Sequence, residues 1–432
     1  MEQDTHNISD LQERQLEGFR ALASRLPDNP FYSHKYADIP VNPAEVTSMT
    51  SFRQIPFTTK SELSDNQCEF PPYGNNLSAP LTHYTRLHQT SGTSGAPLRW
   101  LDTPESWAWI LSCWQDIYAT AGITTEDRLF FPFSFGPFIG FWAAFEGASQ
   151  KGCFCLAGGG MTTHARLEVI LNHRITVVCC TPTYAIRLMQ LAEEQQLDLQ
   201  TSPVRALILA GEPGASIPNL RERLESGWGA RVCDHTGMTE IGSLSVECEH
   251  SPANPHILED HFIAEVVNPK TGEQVNDGEG GELVLTNLGR TDSPLIRYRT
   301  GDWVRLSKEP CGCGRTSARM LGGILGRIDD MVFIKGNNVY PGNIENIIRA
   351  NDSIAEFRLV ISEERGMNRM DIQLEPTPAH QKEVQNIAAR IIEDIHDRYY
   401  FTVNVDCLPP GSLETFELKA KRLIDKRKEA NS

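Results

Sequence analysis

No stretch of this chain approaches the roughly 18 consecutive apolar residues of a membrane-spanning helix, so no membrane span is predicted. The opening residues, MEQDTHNISD, lack a basic start followed by an apolar run and do not read as a secretory signal. Positive charge is in short supply. Forty Lys and Arg against 56 Asp and Glu leave a formal net charge of −16. That argues against a generally basic nucleic-acid-binding surface and leaves room for a local anion site. There is no G-x-x-x-x-G-K followed by Ser or Thr, which excludes a Walker-type phosphate loop. There is also no G-x-G-x-x-G between a strand and a helix, which argues against a Rossmann dinucleotide site. Internal repeats and low-complexity tracts are missing as well. The 11 cysteines, with no export signal, read as reduced thiols in a cytoplasmic protein rather than as a disulfide framework.

What is present is ordinary globular material. The 432 residues are 40% hydrophobic and 22% charged, enough for a large core. They exceed the roughly 250–300 residues at which one core stops growing, so at least two domains are expected. Between about residues 85 and 240, strand candidates Leu129–Phe133, Cys153–Leu156, Thr176–Cys180, Val204–Ala210 and Val232–Asp234 alternate with amphipathic stretches such as Tyr184–Glu194 and Ile217–Leu224. That rhythm predicts a doubly wound parallel α/β sheet. The segments HFIAEVV, GELVLT, PLIRYR and DWVRL predict short strands of a small antiparallel β subdomain at about 262–328. Beyond Arg327 the pattern is α+β: a short helix at Asn343–Ala350, strands FRLVIS and MDIQLE, an apolar helical face at Val384, Ile387, Ala388, Ile391, Ile392 and Ile395, and alternation at Phe401, Val403 and Val405. The expected division is a large domain over residues 1–328 and a small mobile α+β domain over 329–432, with GRIDDM as linker.

Five segments carry chemistry. In HQTSGTSGAP, Thr90, Ser91, Gly92, Thr93, Ser94 and Gly95 offer hydroxyls and a backbone that an anion can approach closely. In LILAGEPGA an apolar strand runs into a Gly-Glu-Pro-Gly turn, where open α/β sheets bind ligands. DHTGMTE follows another strand, and its Glu240 offers a carboxylate suited to the Mg²⁺ that accompanies a nucleotide. PLIRYRTGDW places Asp302 after a glycine turn, suited to both hydroxyls of a ribose. LGRIDDM offers Arg327, a planar donor set for phosphate or ribose oxygens. Taken singly, each also reads as a surface loop, a solvated carboxylate, a turn-forming Asp or a surface ion pair.

In this order, the five resemble the adenylate-forming superfamily of acyl- and aryl-CoA ligases, and within it the phenylacetate–CoA ligases. IPFTTKSEL, CCTPTYA, HILEDHF, CGCGRT and NNVYPGNIE extend the likeness from about residue 15 to the end. The resemblance implies an acid–thiol ligase that makes an acyl-AMP from ATP and a carboxylic acid with Mg²⁺, then a thioester with CoA. It puts the β- and γ-phosphates on the loop from Thr90 to Gly95, adenine against Gly211, Glu212 and Pro213, and the nucleotide against His235, Thr236 and Thr239. It implies Glu240 on Mg²⁺, Asp302 and Arg327 on ribose and phosphates, Asp329 as hinge and Lys419 as the cation bridging carboxylate and α-phosphate. Two positions depart from the family: Thr236 stands where a Tyr usually stacks on adenine, leaving His235 as the alternative ring, and Leu418 replaces a common Gly.

Cys248, His256, Cys311 and Cys313 make a C-x7-H and C-x-C set suited to a closed structural zinc site, as some of those relatives carry; His250 and His261 are neighbouring alternatives. Unligated thiols are the competing reading. The aromatic run FFPFSFGPFIGFW borders the acyl pocket in the relatives, with Phe133, Phe135, Phe138 and Ile139 as its candidates, or is ordinary core. An aryl or arylacetic acid is expected, with benzoates, indole acids and aliphatic acids not separated. A homodimer is compatible with the sequence. Alternatives are an adenylating enzyme that serves a carrier protein, an amine or a deazaflavin coenzyme, and an inactive zinc-stabilised nucleotide-binding regulator.

Overall fold

The computed structural model describes residues 8–90, 97–212, 214–334, 337–364, 367–414 and 422–429. The first strands, β1 (Arg86–Gln89) and β2 (Arg99–Asp102), form an antiparallel hairpin of their own. Five parallel strands follow: β3 (Arg128–Phe131), β4 (Phe154–Ala157), β5 (Val177–Cys180), β6 (Ala206–Leu209) and β7 (Arg231–Met238). They lie in the order β4-β3-β5-β6-β7.

Both faces of this sheet are covered. Leu129, Phe131, Val177, Cys179, Ala206 and Ile208 face a core shared with the helices Pro104–Thr120 and Ile139–Lys151. Phe130, Val178, Cys180, Leu207 and Leu209 face the other core, shared with the helices Thr163–Asn172, Pro182–Glu194 and Pro218–Trp228. The period of two along each strand sorts neighbours to opposite sides. Cys179 and Cys180 are therefore buried packing residues, one on each face. Thr103, Thr162 and Thr181 cap three of these helices with their hydroxyls, and Pro104 and Pro182 stand at first helical positions where no N–H is needed. The sheet is doubly wound, as expected.

The antiparallel strands are not a separate sheet. They are β8 (Gly242–Val246), β9 (His256–Ile257), β10 (Phe262–Val267), β11 (Gly280–Asn287), β12 (Tyr298–Ser307), β13 (Arg319–Met320) and β14 (Gly326–Arg327). They continue from β7 in the order β8-β9-β13-β12-β11-β10, with β14 beside β12, so one twelve-stranded sheet runs through the region. The two strands expected at PLIRYR and DWVRL are one strand, β12, and residues 294–297 lie outside it. Arg297 sits at φ 46 and turns its guanidinium inward onto Glu265 at 3.0 Å, which interrupts extended backbone.

The C-terminal part has its own core. It contains β15 (Val332–Ile334), β16 (Asn337–Val339), β17 (Ile354–Glu364), β18 (Met367–Pro376), β19 (Asn404–Cys407) and β20 (Leu423–Asp425), with the helices Pro341–Arg349 and Val384–Tyr399. Four of the strands form a sheet in the order β19-β18-β17-β20. Phe401 and Val403 are buried without belonging to a strand, because Tyr400 ends the helix at φ 55 and pairing with β18 begins only at Asn404. Trp303 of β12 stacks on Tyr340 with centroids 5.9 Å apart, and Arg223 pairs with Asp352 at 3.7 Å, so the two parts touch. Among the described residues no helix is long and apolar enough to cross a membrane.

Candidate active site and metal centre

The hairpin β1–β2 brings together the ends of the Gly/Ser/Thr segment. Thr90 donates its N–H to the Leu98 carbonyl at 2.9 Å, and its hydroxyl accepts from the Leu98 N–H at 3.0 Å. Ser91, Gly92, Thr93, Ser94 and Gly95 lie outside the described residues, as do Pro213 and Lys419. Asp329 is described only through its backbone, in a short turn at Ile328–Asp330.

Glu240 sits in the tight connection between β7 and β8, and is buried. The Tyr298 hydroxyl donates to its carboxylate at 3.4 Å. Asp302, also buried, lies opposite Arg327 in the β12–β14 pairing, and Arg327 donates to the Asp302 carboxylate at 2.8 Å and to the Thr300 carbonyl at 2.9 Å. Burial pushes the Tyr298 phenol well above its ordinary range. Glu240 and Asp302 add to that push and Arg327 opposes it, so all three are close to this hydroxyl. Glu240, Asp302 and Arg327, distant in sequence, therefore meet around one tyrosine that sequence reasoning did not single out.

Gly211 adopts φ +94, a conformation that favours glycine. Next to it, Glu212 accepts the Thr183 N–H at 2.8 Å, a contact that ties the turn after β6 to the start of the helix Pro182–Glu194. Thr236 and His235 part company. Thr236 is half-buried at the end of β7, while His235 is fully buried, with its ring 4.7 Å from Trp114 and its Nδ1–H donated to the Ser245 carbonyl at 2.7 Å. Burial pushes its pKa down to about 4. Strand alternation sends His235 to the core side of β7, so it is not available as a ring to stack on adenine.

Two further residues escaped the sequence reading. Arg290 and Asp102 form a fully buried bidentate pair, with both bonds at 2.6 Å. Burial alone would raise the Asp102 carboxyl, but the Arg290 guanidinium, helped by His88, holds it below the usual carboxylate range. No local pattern marks either residue, because they are 188 positions apart.

The aromatic run divides between core and rim. Phe133 and Ile139 are buried, whereas Phe135 and Phe138 are half-buried. Phe133 stacks on Phe141 at 4.0 Å, and Phe135 meets Phe133, Trp142 and Phe145. The Pro137 carbonyl accepts the Gln89 N–H at 2.9 Å, which fastens this segment to β1.

Cys248, His256, Cys311 and Cys313 converge, with one ligand atom from each all within 4.8 Å of one another. The Cys248 and Cys311 sulfurs are 3.6 Å apart, and the Cys313 sulfur is 3.5 Å from His256 Nε2. His256 Nδ1 is engaged by the Ser317 carbonyl and hydroxyl at 3.1 and 3.0 Å, which leaves Nε2 facing the thiols. Burial lowers the His256 pKa to about 4, so the ring is neutral at neutral pH. Three sulfurs and one neutral imidazole, oriented through its second nitrogen, fit a tetrahedral thiophilic cation. His261 is instead paired with Asp116 at 2.7 Å, and His250 is outside the cluster.

Residues 56–289 match the model of the AMP-binding enzyme family, and residues 336–427 that of the AMP-binding enzyme C-terminal domain. The chain is 30% identical to the phenylacetate-coenzyme A ligase of Thermus thermophilus, over 97% of this chain and 96% of the relative. It is 28% identical to the enzyme of the same name from Escherichia coli, over 98% and 97%. Among solved structures, 2-hydroxyisobutyryl-CoA ligase in the postadenylation state with 2-HIB-AMP superposes with a TM-score of 0.92 at 26% identity, covering 99% of this chain and 92% of that one. The same ligase in the thioesterification state gives 0.74 at 26% identity, over 100% and 94%. The fold, the convergent carboxylates and the end-to-end likeness establish that the chain belongs to the adenylate-forming AMP-binding enzymes, among the phenylacetate–CoA ligase-like acid–thiol ligases.

Proposed function

We propose that the protein converts an aryl or arylacetic acid, ATP and CoA into an acyl-CoA thioester, AMP and pyrophosphate, in two steps at one cleft. The observation that carries this reading is the meeting of Glu240, Asp302 and Arg327 around Tyr298. In this reading Thr90 and the segment after it receive the β- and γ-phosphates, Gly211, Glu212 and Pro213 border adenine, and Thr236 and Thr239 flank the nucleotide. Asp302 accepts from the ribose hydroxyls. It already holds the Arg327 guanidinium, so an acceptor for ribose and a donor for phosphate are set side by side. Glu240 is the protein ligand for the Mg²⁺ that accompanies ATP, an ion that neutralises phosphate charge. Lys419 supplies the ammonium between carboxylate and α-phosphate, where two anions must meet. Phe135 and Phe138, the half-exposed rings, take the acid's apolar body, while Phe133 and Ile139 support them from the core.

The large domain is assigned to residues 1–328 and the small one to 329–432, turning about Asp329 between the half-reactions. The Cys248, His256, Cys311 and Cys313 cluster is assigned to a structural zinc ion with no part in the chemistry. The test is pyrophosphate release over a panel of acids, with and without CoA. An aryl or arylacetic acid is expected to release pyrophosphate, and thioester is expected only with CoA. Adenylation without thioester formation would move the acceptor to a carrier thiol or an amine. Absence of pyrophosphate release with every acid overturns the reading.

A further inference from the structure

We propose that Arg290 is a positioning residue for adenylation, a buried strut that locks the hairpin whose two strands flank the phosphate segment to the turn that bears Glu240. The inference rests on the reading of Glu240 and the Thr90 segment as the ATP triphosphate and Mg²⁺ site. Arg290 and Asp102 are both 0% exposed. The guanidinium donates Nε–H and Nη2–H to the two Asp102 oxygens at 2.6 Å each. Its Nη1 donates to the Thr239 carbonyl at 2.8 Å and to the Glu240 carbonyl at 3.0 Å. One planar group thus holds the end of β2 with one edge and the β7–β8 turn with the other. Asp102 reaches the first strand of the hairpin as well, with its Oδ2 3.6 Å from Nδ1 of the buried His88. The His88 ring is stacked on Trp107 at 5.2 Å, two residues before Thr90.

The carbonyls that Arg290 takes belong to residues outside the β7–β8 ladder, which closes at Met238 and Gly242. The β7–β8 ladder does not reach this turn, and the guanidinium holds its two carbonyls. A buried ion pair is a poor source of stability beside apolar packing of the same volume, but its bonds are directional. The direction matters here because phosphate oxygens and a metal-binding carboxylate must be held at a fixed separation for one Mg²⁺ to serve both. A lysine at this position would supply charge without the fork.

The test is calorimetric titration of ATP, with and without Mg²⁺, and of AMP, into wild type, Arg290→Lys and Asp102→Asn, beside single-turnover measurement of each half-reaction. Both variants are expected to lose about 10- to 100-fold in the Mg²⁺-dependent part of ATP affinity, as for loss of a group that orients a metal ligand. AMP affinity is expected to change less than about twofold, and thioester formation from preformed acyl-AMP to stay near wild type, because neither needs the triphosphate and its metal together. Equal losses for ATP and AMP, equal slowing of both half-reactions, an unchanged Mg²⁺ dependence, or failure of both variants to fold would each overturn the proposal in favour of a purely structural pair. A wild type that binds ATP with Mg²⁺ yet activates no acid would sink the functional reading alone, since the strut is scored on nucleotide binding. A wild type that binds no ATP would remove the basis of both.

Discussion

The β7–β8 hairpin carries Glu240 at its turn and leads, two residues beyond its far end, to Cys248, and the constellations at these two ends are built on opposite plans. At the far end four soft ligands close on one another within 4.8 Å, their imidazole oriented by Ser317, with most of the set buried. At the turn, the groups that meet are buried acids held by groups of different strands: Glu240 by Tyr298, Asp302 by Arg327, whose side chain is 40% exposed. The first arrangement has the donor set of a closed four-ligand metal site. The second is a set of acceptors and donors that hold one another and stay partly open to solvent. Closed sets stabilise a fold, and open, partly solvent-facing sets exchange partners and so can bind and release.

The comparison breaks most sharply at Lys419, assigned to the open site. Lys419→Ala is expected to lose on the order of 100- to 1000-fold in acyl-AMP formation and to convert preformed acyl-AMP and CoA at near wild-type rate. Single-turnover kinetics measure both, and equal slowing of the two steps would remove the lysine from its role. Asp329→Pro is expected to show the converse, with thioester formation impaired and adenylation partly retained, because proline fixes φ at the proposed hinge.

At the closed site, metal analysis of protein purified without chelator should find about one zinc per chain. Cys311→Ala should release it and lower stability by roughly 3 kcal/mol, with ATP affinity retained in whatever stays folded. Zinc-free wild type of undiminished thermal stability would end the distinction between the two ends of the hairpin. A smaller effect is expected at the aromatic rim: Phe135→Ala or Phe138→Ala should raise the KM for the acid about 10-fold while leaving the KM for ATP in place. A raised ATP requirement alone would move the acid elsewhere.

A pH-dependent effect is expected at His235, opposite Val246 in the β7–β8 pairing. Its pKa is lowered to about 4 by burial, against an ordinary 6.5. Between those values the unfolded chain binds a proton that the folded one refuses, so stability rises with pH over that window and falls as the solution is acidified through it. The slope is at most about 1.4 kcal/mol per pH unit. Denaturation midpoints of wild type and His235→Gln across pH 4 to 6.5 check it, and identical slopes would show that the imidazole is accommodated in its charged form.

Much of this was legible from the chain alone. VVCC, ALIL, β3 and β4 lie within two residues of their expected limits, since apolar runs between capped helices are local signals, while β7 runs four residues past its expected end. The order of the Gly/Ser/Thr, GEPG, HTGMTE, RTGD and GRIDD segments sufficed to identify the family, because a reaction at several strand ends requires several short motifs in sequence. The Cys and His spacing pointed to the four members of the cluster, with His250 and His261 as alternatives that the structure leaves outside it. Only the tertiary structure decided the rest. Cys248 and Cys311, 63 residues apart, meet through the pairing of β8, β9 and β13, and Arg290 finds Asp102 across 188 residues. His235 and Thr236 are adjacent in sequence, and the pleat of β7 puts one in the core and leaves the other half-buried. The division at Arg297, which set the start of β12, came from an inward-turned guanidinium on Glu265. Periodicity reports which face of an element is apolar. Which distant element supplies the other half of a polar pair is set by sheet order and register, and no local window of sequence contains these.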